Sequence, residues 1–216
     1  MRKSPLATGE IYHVFNRSIA GYVILGFPGD CKRISKALEY YRCTRELSLS
    51  RYLALQEQGE RTKTGSGNPA PTARIIEIIA YCLMPTHIHL VLRQTVDEGI
   101  SIFMNNILNS YSRYFNIKQK RKGPLWEGRF KNVRVETDEQ LMHLTRYVHL
   151  NPVTAGIVDK PEEWRYSSYL EYLNEKKGTC VFEELLDMSP NQYRIFTEDR
   201  IDYQKKLAVI KHLLLE

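Results

Sequence analysis

The sequence predicts an α+β fold: a four-stranded sheet with helices on one face and an added helix laid across the other. Three observations predict it. Residues 10–17 and 74–94 are dense in β-branched and aromatic residues. Residues 100–117 and 139–150 place their apolar positions at helical spacing. The order of these segments is strand, helix, strand, strand, helix, strand, with one further helix after it. A β-α-β-β-α-β chain packs both its helices on one face of the sheet and leaves the other face available for a site.

The elements follow in order. Glu-Ile-Tyr-His-Val-Phe-Asn-Arg at 10–17 alternates and reads as the first strand. Residues 32–48 read as a helix, with Ile34, Leu38, Tyr41 and Leu47 among its apolar positions. Residues 57–73 carry Gly59, Gly65, Gly67, Pro69 and Pro71 and read as a mobile surface loop. Residues 74–83 are the second strand and 87–94 the third, joined at Pro85-Thr86. A helix over 100–117 has Phe103, Ile107 and Tyr114 on one stripe; a basic run at 118–122 and Gly123-Pro124 close it. Residues 126–135 lead through a loop into the fourth strand. Asp138 is the expected N-cap of a helix over 139–150, stopped by Asn151-Pro152. Residues 1–170 make one domain around the candidate site, and 171–216 a partly helical C-terminal extension.

Composition narrows the class. With 216 residues the chain is long enough for one domain with a real core. No apolar run approaches the ~20 residues that span a bilayer, and no apolar stretch of the signal-peptide kind follows the first residues. Cys31, Cys43, Cys82 and Cys180 are scattered without a CxxC pair, which fits free thiols and a cytoplasmic location. A net charge of +6 and a pI near 9.1 lean toward a polyanionic partner, and the lack of a spanning run argues against a membrane.

His87 and His89 are two apart on a strand, so their imidazoles project from the same face. Tyr147 and Asn151 are four apart on the last helix, so they share a face there. If that helix crosses the open face of the sheet, it brings a phenol and an amide oxygen over two imidazoles. Imidazole plus amide oxygen suits Mn²⁺ and accommodates Mg²⁺, with positions left for a phosphate oxygen. Attack by Tyr147 on that phosphate would store the bond as a phosphotyrosine, which suits strand transfer better than hydrolysis. His143, one turn before Tyr147, either orients the phenol or transfers a proton, or is a surface histidine. Arg129, Lys131, Arg134, Lys120, Arg121 and Lys122 are candidate phosphate contacts. Trp126 either stacks on a base or is buried against the sheet. Tyr111 and Tyr114, the other tyrosines considered, fall at core positions or lack an oxygen ligand four residues on. His149 is assigned to packing or surface, and His13 is left unassigned.

Five strings in order carry a resemblance: Tyr12-His13-Val14-Phe15-Asn16-Arg17; Tyr81 through Leu92; Gly123 through Lys131; Tyr147 through Val158; and Trp164 through Tyr169. Over residues 8–170 the chain resembles the IS200-like (Y1) transposases of the HUH single-strand nuclease superfamily, most of all the REP-associated tyrosine transposases. The resemblance implies a ferredoxin-like antiparallel sheet and an added helix carrying a catalytic tyrosine. It also implies single-stranded DNA as substrate, at hairpin-forming palindromes, with Mg²⁺ or Mn²⁺ as cofactor. Position by position it makes Tyr147 the nucleophile of a 5′-phosphotyrosine intermediate and His87, His89 and Asn151 the metal ligands. The protein would act as monomer or homodimer. A replication- or conjugation-type nickase, a non-catalytic DNA-binding protein on the same fold and a metal-dependent phosphohydrolase are the alternatives. The long 57–73 segment and the tail beyond residue 170 depart from the family pattern.

Overall fold

The computed structural model describes residues 5–62, 73–182 and 185–205. Strands β1 (Ile11–Arg17), β2 (Ile76–Met84), β3 (His87–Gln94) and β4 (Lys131–Val135) form one antiparallel sheet in the order β2-β3-β1-β4. This is the ferredoxin-like order, in which β3 is inserted between the two strands that α1 (Pro28–Tyr41) connects and α3 (Gly99–Lys118) leads to the far edge.

The two faces follow from the period-two alternation of each strand. Tyr12 and Val14 of β1 and Ile88, Leu90 and Leu92 of β3 are fully buried in the core that α1 and α3 cover. His13, Phe15 and Arg17 of β1 and His87, His89 and Val91 of β3 therefore point to the other face. In β2 the register shifts between Ile78 and Ala80. Ile76 and Ile78 before the shift, and Tyr81 and Leu83 after it, then all reach the same core, while Ile79, Ala80, Cys82 and Met84 join the second one. Gly99 opens α3 where any Cβ would collide with the Ile75 carbonyl, so the chain can enter the helix against the sheet edge.

α4 (Asp138–Thr154) crosses the second face, as expected, and packs Leu141 and Val148 against Ala80, Cys82 and Val91. Two expectations about it are corrected. Its N-cap is Thr137, whose hydroxyl accepts from the Gln140 amide at 3.1 Å, and Asp138 lies in the first turn. The helix also runs through Asn151-Pro152 to Thr154 instead of stopping there. Pro152 costs one donor, and the Val148 carbonyl it leaves over accepts from the Asn151 side-chain amide at 3.4 Å.

The region before β2 also differs from expectation. α1 ends at Tyr41, and a separate α2 (Leu49–Thr62) follows, so the expected helix over 32–48 is broken and residues 57–62 are helical rather than loop. Cys43 bridges Arg74 and Thr44 bonds Ala73, which pulls the chain out of the helix toward β2. Leu49 then docks in the core and Tyr52 packs on Tyr40 at 4.5 Å, anchoring a helix of good helix formers. The rest of the expected mobile loop, 63–72, lies outside the described residues.

The chain beyond 170 is built into the second core. α5 (Tyr169–Tyr172) and α6 (Pro190–Glu198) contribute Tyr169, Tyr172 and Tyr193, all buried beneath α4. Residues 201–205 are helical, and the remainder of the helix expected toward the end lies outside the described residues. Among the described residues no helix is long and apolar enough to cross a membrane.

Candidate active site

The open face of β1 and β3, the loop before β4 and α4 enclose a cavity of about 690 Å³. His87 and His89 stand on its floor with ring centroids 5.0 Å apart. The Tyr147 ring meets His89 edge-on at 5.8 Å and His13 at 6.1 Å, and Asn151 lines the same wall one turn further along α4. All four residues expected to form the site thus come together in one cavity.

Their local contacts orient them. The Nδ1 atom of His89 lies 2.9 Å from His13 Nε2, and that of His87 lies 3.0 Å from Thr86 Oγ1. Each ring therefore has Nε2 left over. The Asn151 amide donates to the carbonyls of Tyr147 at 3.0 Å and Val148 at 3.4 Å, so its Oδ1 is the atom left over. Burial holds the imidazoles neutral: His13 and His87 are lowered to about 4 and His89 to about 3, with the Arg17 charge and the neighbouring rings adding to the effect at His89. Burial also raises the Tyr147 phenol, while the Asn151 hydrogen bond and the Arg17 charge oppose the rise. The phenol is thus protonated at neutral pH.

Two neutral imidazole nitrogens and an amide oxygen make a donor set that fits a divalent cation of the Mg²⁺ or Mn²⁺ kind and leaves room for further oxygen ligands. Among the described residues no three His, Cys, Asp or Glu side chains converge as a metal site, and the Asn151 amide lies in the same cavity as the two imidazoles.

The candidate phosphate contacts separate by strand parity. Arg129 and Lys131 line the cavity. Arg134 is of the opposite parity, pairs with Tyr12 across the sheet and is held by Glu10 at 2.7 Å, so it lies on the wrong face. Lys120, Arg121 and Lys122 do not line the cavity either. Arg121 donates to Asn116 at 2.9 Å and to the Pro124 carbonyl at 3.0 Å, closing the turn after α3, while Lys120 and Lys122 are exposed. Trp126 is 8% exposed, and its indole donates to the Leu108 carbonyl, so it is a wedge between α3 and the loop rather than a stacking platform. His143 does not line the cavity; it meets Arg146 at 2.7 Å and packs on Phe196, which takes its ring toward α6. His149 is fully buried, 2.7 Å from Tyr193 Oη and 2.8 Å from Ser168 Oγ. Tyr111 and Tyr114 are committed to the Ile24 carbonyl and to Asp30 in the first core.

Among the charged and titratable cavity residues, Arg17 and Glu127 were not singled out from sequence, and His13 was left unassigned. The alternation of β1 already places His13 and Arg17 on one face. What it lacks is the neighbour relation: Arg17 sits opposite His87, and Phe15 opposite His89. Among the described residues Arg17, Arg129 and Lys131 make no ion pair, so three cationic side chains line the cavity against the single carboxylate of Glu127.

A family profile described as "Transposase IS200 like" matches residues 70–151. The chain is 27% identical over 103 residues to a protein of Haemophilus influenzae, and 25% identical over 99 residues to one of Escherichia coli, both bearing the name REP-associated tyrosine transposase. These matches cover 43% and 44% of the chain, and span 58% and 56% of the relatives' lengths. The solved structure of a REP-associated tyrosine transposase bound to a REP hairpin superimposes with a TM-score of 0.53 at 15% identity, covering 88% of this chain and 95% of that one. Residues 70–151 thus resemble the IS200-like transposases in sequence, and the chain shares the fold of that solved transposase structure.

Proposed function

We propose that the protein is a metal-dependent single-stranded DNA endonuclease and strand transferase, with Tyr147 as its nucleophile. The observation that carries this reading is the Tyr147 ring set edge-on to His89, with His87 in the same cavity and Arg17, Arg129 and Lys131 lining it. The three cations suit a phosphodiester backbone, and one phosphate would lie within reach of the phenol. A second cavity of about 760 Å³ shares Gly128 and Arg129 with the first and runs along the polar side of α3, a path for the flanking strand. The structurally similar transposase is bound to a REP hairpin, and a hairpin-forming single strand is the substrate class proposed here.

In the proposed step Tyr147 Oη bonds to the phosphorus and the bond from phosphorus to the 3′ oxygen breaks. The phenol proton passes to solvent, and the leaving oxygen takes one from water, giving a 5′-phosphotyrosine and a free 3′-hydroxyl. Arg17, whose charge already opposes the raised phenol, stabilises the phenolate as it forms. A divalent Mg²⁺ or Mn²⁺ held by His87, His89 and Asn151 would, when bound, supply Lewis-acid polarisation of the phosphate. Reversal onto a second 3′-hydroxyl joins strands without an external energy source.

The test is incubation with labelled single-stranded DNA carrying short palindromes, with Mn²⁺ or with chelator, read on a denaturing gel with peptide mapping. A covalent adduct on Tyr147 that needs Mn²⁺ is the expected result, and Tyr147→Phe should lose it while still binding DNA. Cleavage that persists in Tyr147→Phe overturns the nucleophile. Tight hairpin binding with no adduct across a panel of palindromes favours a binding protein instead.

A further inference from the structure

We infer that His13 is a positioning residue that decides which nitrogen of His89 is free to bind a metal, an inference that rests on the metal reading above. His13 lies on β1, one strand away from β3. In the register His13 pairs with Val91 and Phe15 with His89, so His13 is a diagonal neighbour of His89 on the open face. The two rings stack at 5.2 Å with planes 17° apart, and His13 Nε2 is 2.9 Å from His89 Nδ1.

Two imidazole nitrogens at that distance share one proton. With one N–H on each ring, only two arrangements satisfy that distance. In the first, His89 Nδ1–H donates to His13 Nε2, and His89 Nε2 keeps its lone pair for a metal. In the second, His13 donates, the proton of His89 sits on Nε2, and that nitrogen cannot ligate. Ligation through Nε2 therefore requires His13 to be the acceptor, with its own proton on Nδ1. The contrast with His87 is instructive, because Thr86 Oγ1 can donate or accept and forces neither tautomer. A third-ligand role for His13 fits less well: its Nε2 is already engaged by His89, and no three such side chains converge among the described residues.

The test uses the full chain, free of metal and then titrated with Mn²⁺. Long-range ¹H–¹⁵N spectra of the metal-free protein are expected to show both His13 and His89 protonated on Nδ1. Calorimetric titration is expected to show Mn²⁺ binding weakened about 10- to 100-fold in His13→Phe, which keeps the ring volume and loses the acceptor. His13→Gln, whose amide oxygen can accept the same proton, is expected to restore most of it. An Nε2-protonated His89 in the wild type, or a folded His13→Phe with unchanged Mn²⁺ affinity, overturns the inference. A wild type that binds no Mn²⁺ overturns the metal reading itself, and the positioning role falls with it.

Discussion

The same two strands, β1 and β3, present opposite chemistries on their two faces. Toward α1 and α3 they turn Tyr12, Val14, Ile88, Leu90 and Leu92, all without solvent exposure. Toward α4 they turn His13, Arg17, His87 and His89 around an open cavity. His13 and His89 are thus each flanked in sequence by two core residues, and His87 by one. A one-residue slip in register would bury the imidazoles and expose the leucines, so the apolar face sets the geometry of the polar one. The polar face returns nothing comparable: its histidines sit desolvated and unprotonated, a cost the covered face offsets.

That division can be broken from either side. The largest effect is expected from His87→Ala, which should lower metal-dependent cleavage by about a thousandfold or more, on the order of 4 kcal/mol in the barrier, with no loss of thermal midpoint. Equal cleavage by this variant, or by the wild type in excess chelator, would remove the metal from the reaction. Leu90→Ala, its neighbour on the covered face, should instead cost about 2–5 kcal/mol of stability in denaturant unfolding, while the protein that remains folded cleaves normally. A stable but inactive Leu90→Ala would show that the two faces do not separate.

Acid should act on the open face and on α4 together. His13 and His87 take up a proton only near about 4, and His89 and His149 near about 3, against 6.5 when the chain is unfolded. The unfolded chain binds those protons first. The stability linked to them is therefore complete above pH 6.5 and drains away as pH falls toward 4 and below. A thermal midpoint that stays level from pH 7 to pH 4.5 would contradict this. The smallest effect is expected from Arg129→Gln: several-fold weaker hairpin binding and a salt dependence shallower by about one unit of slope. An unchanged slope would place the strand elsewhere.

The strands and the histidine pair were legible because period two is a local property, and His87 and His89 share a face in any strand. The crossing of α4 was legible because one face of the sheet lacked a cover. What sequence does not carry is adjacency between distant strands. His13 matters only because β3 is inserted beside β1, a relation that no window of residues contains. Arg134 misled for a related reason: it shares a strand with Lys131 but not its parity. Trp126 resolved toward burial because Leu108 offers its indole an acceptor. The expected stop at Asn151-Pro152 failed because a side chain satisfied the carbonyl that proline had freed.

The ties beneath α4 have a consequence for timing. By the time residue 151 has been synthesised, the chain contains both histidines, the tyrosine and the asparagine. The groups that hold His149 from below, Ser168 and Tyr193, come later. A ribosome-bound chain therefore has every reactive group before it has the floor that keeps the phenol's helix in place. The proposed site is thus complete in sequence before α4 has the contacts from Ser168 and Tyr193 that support it.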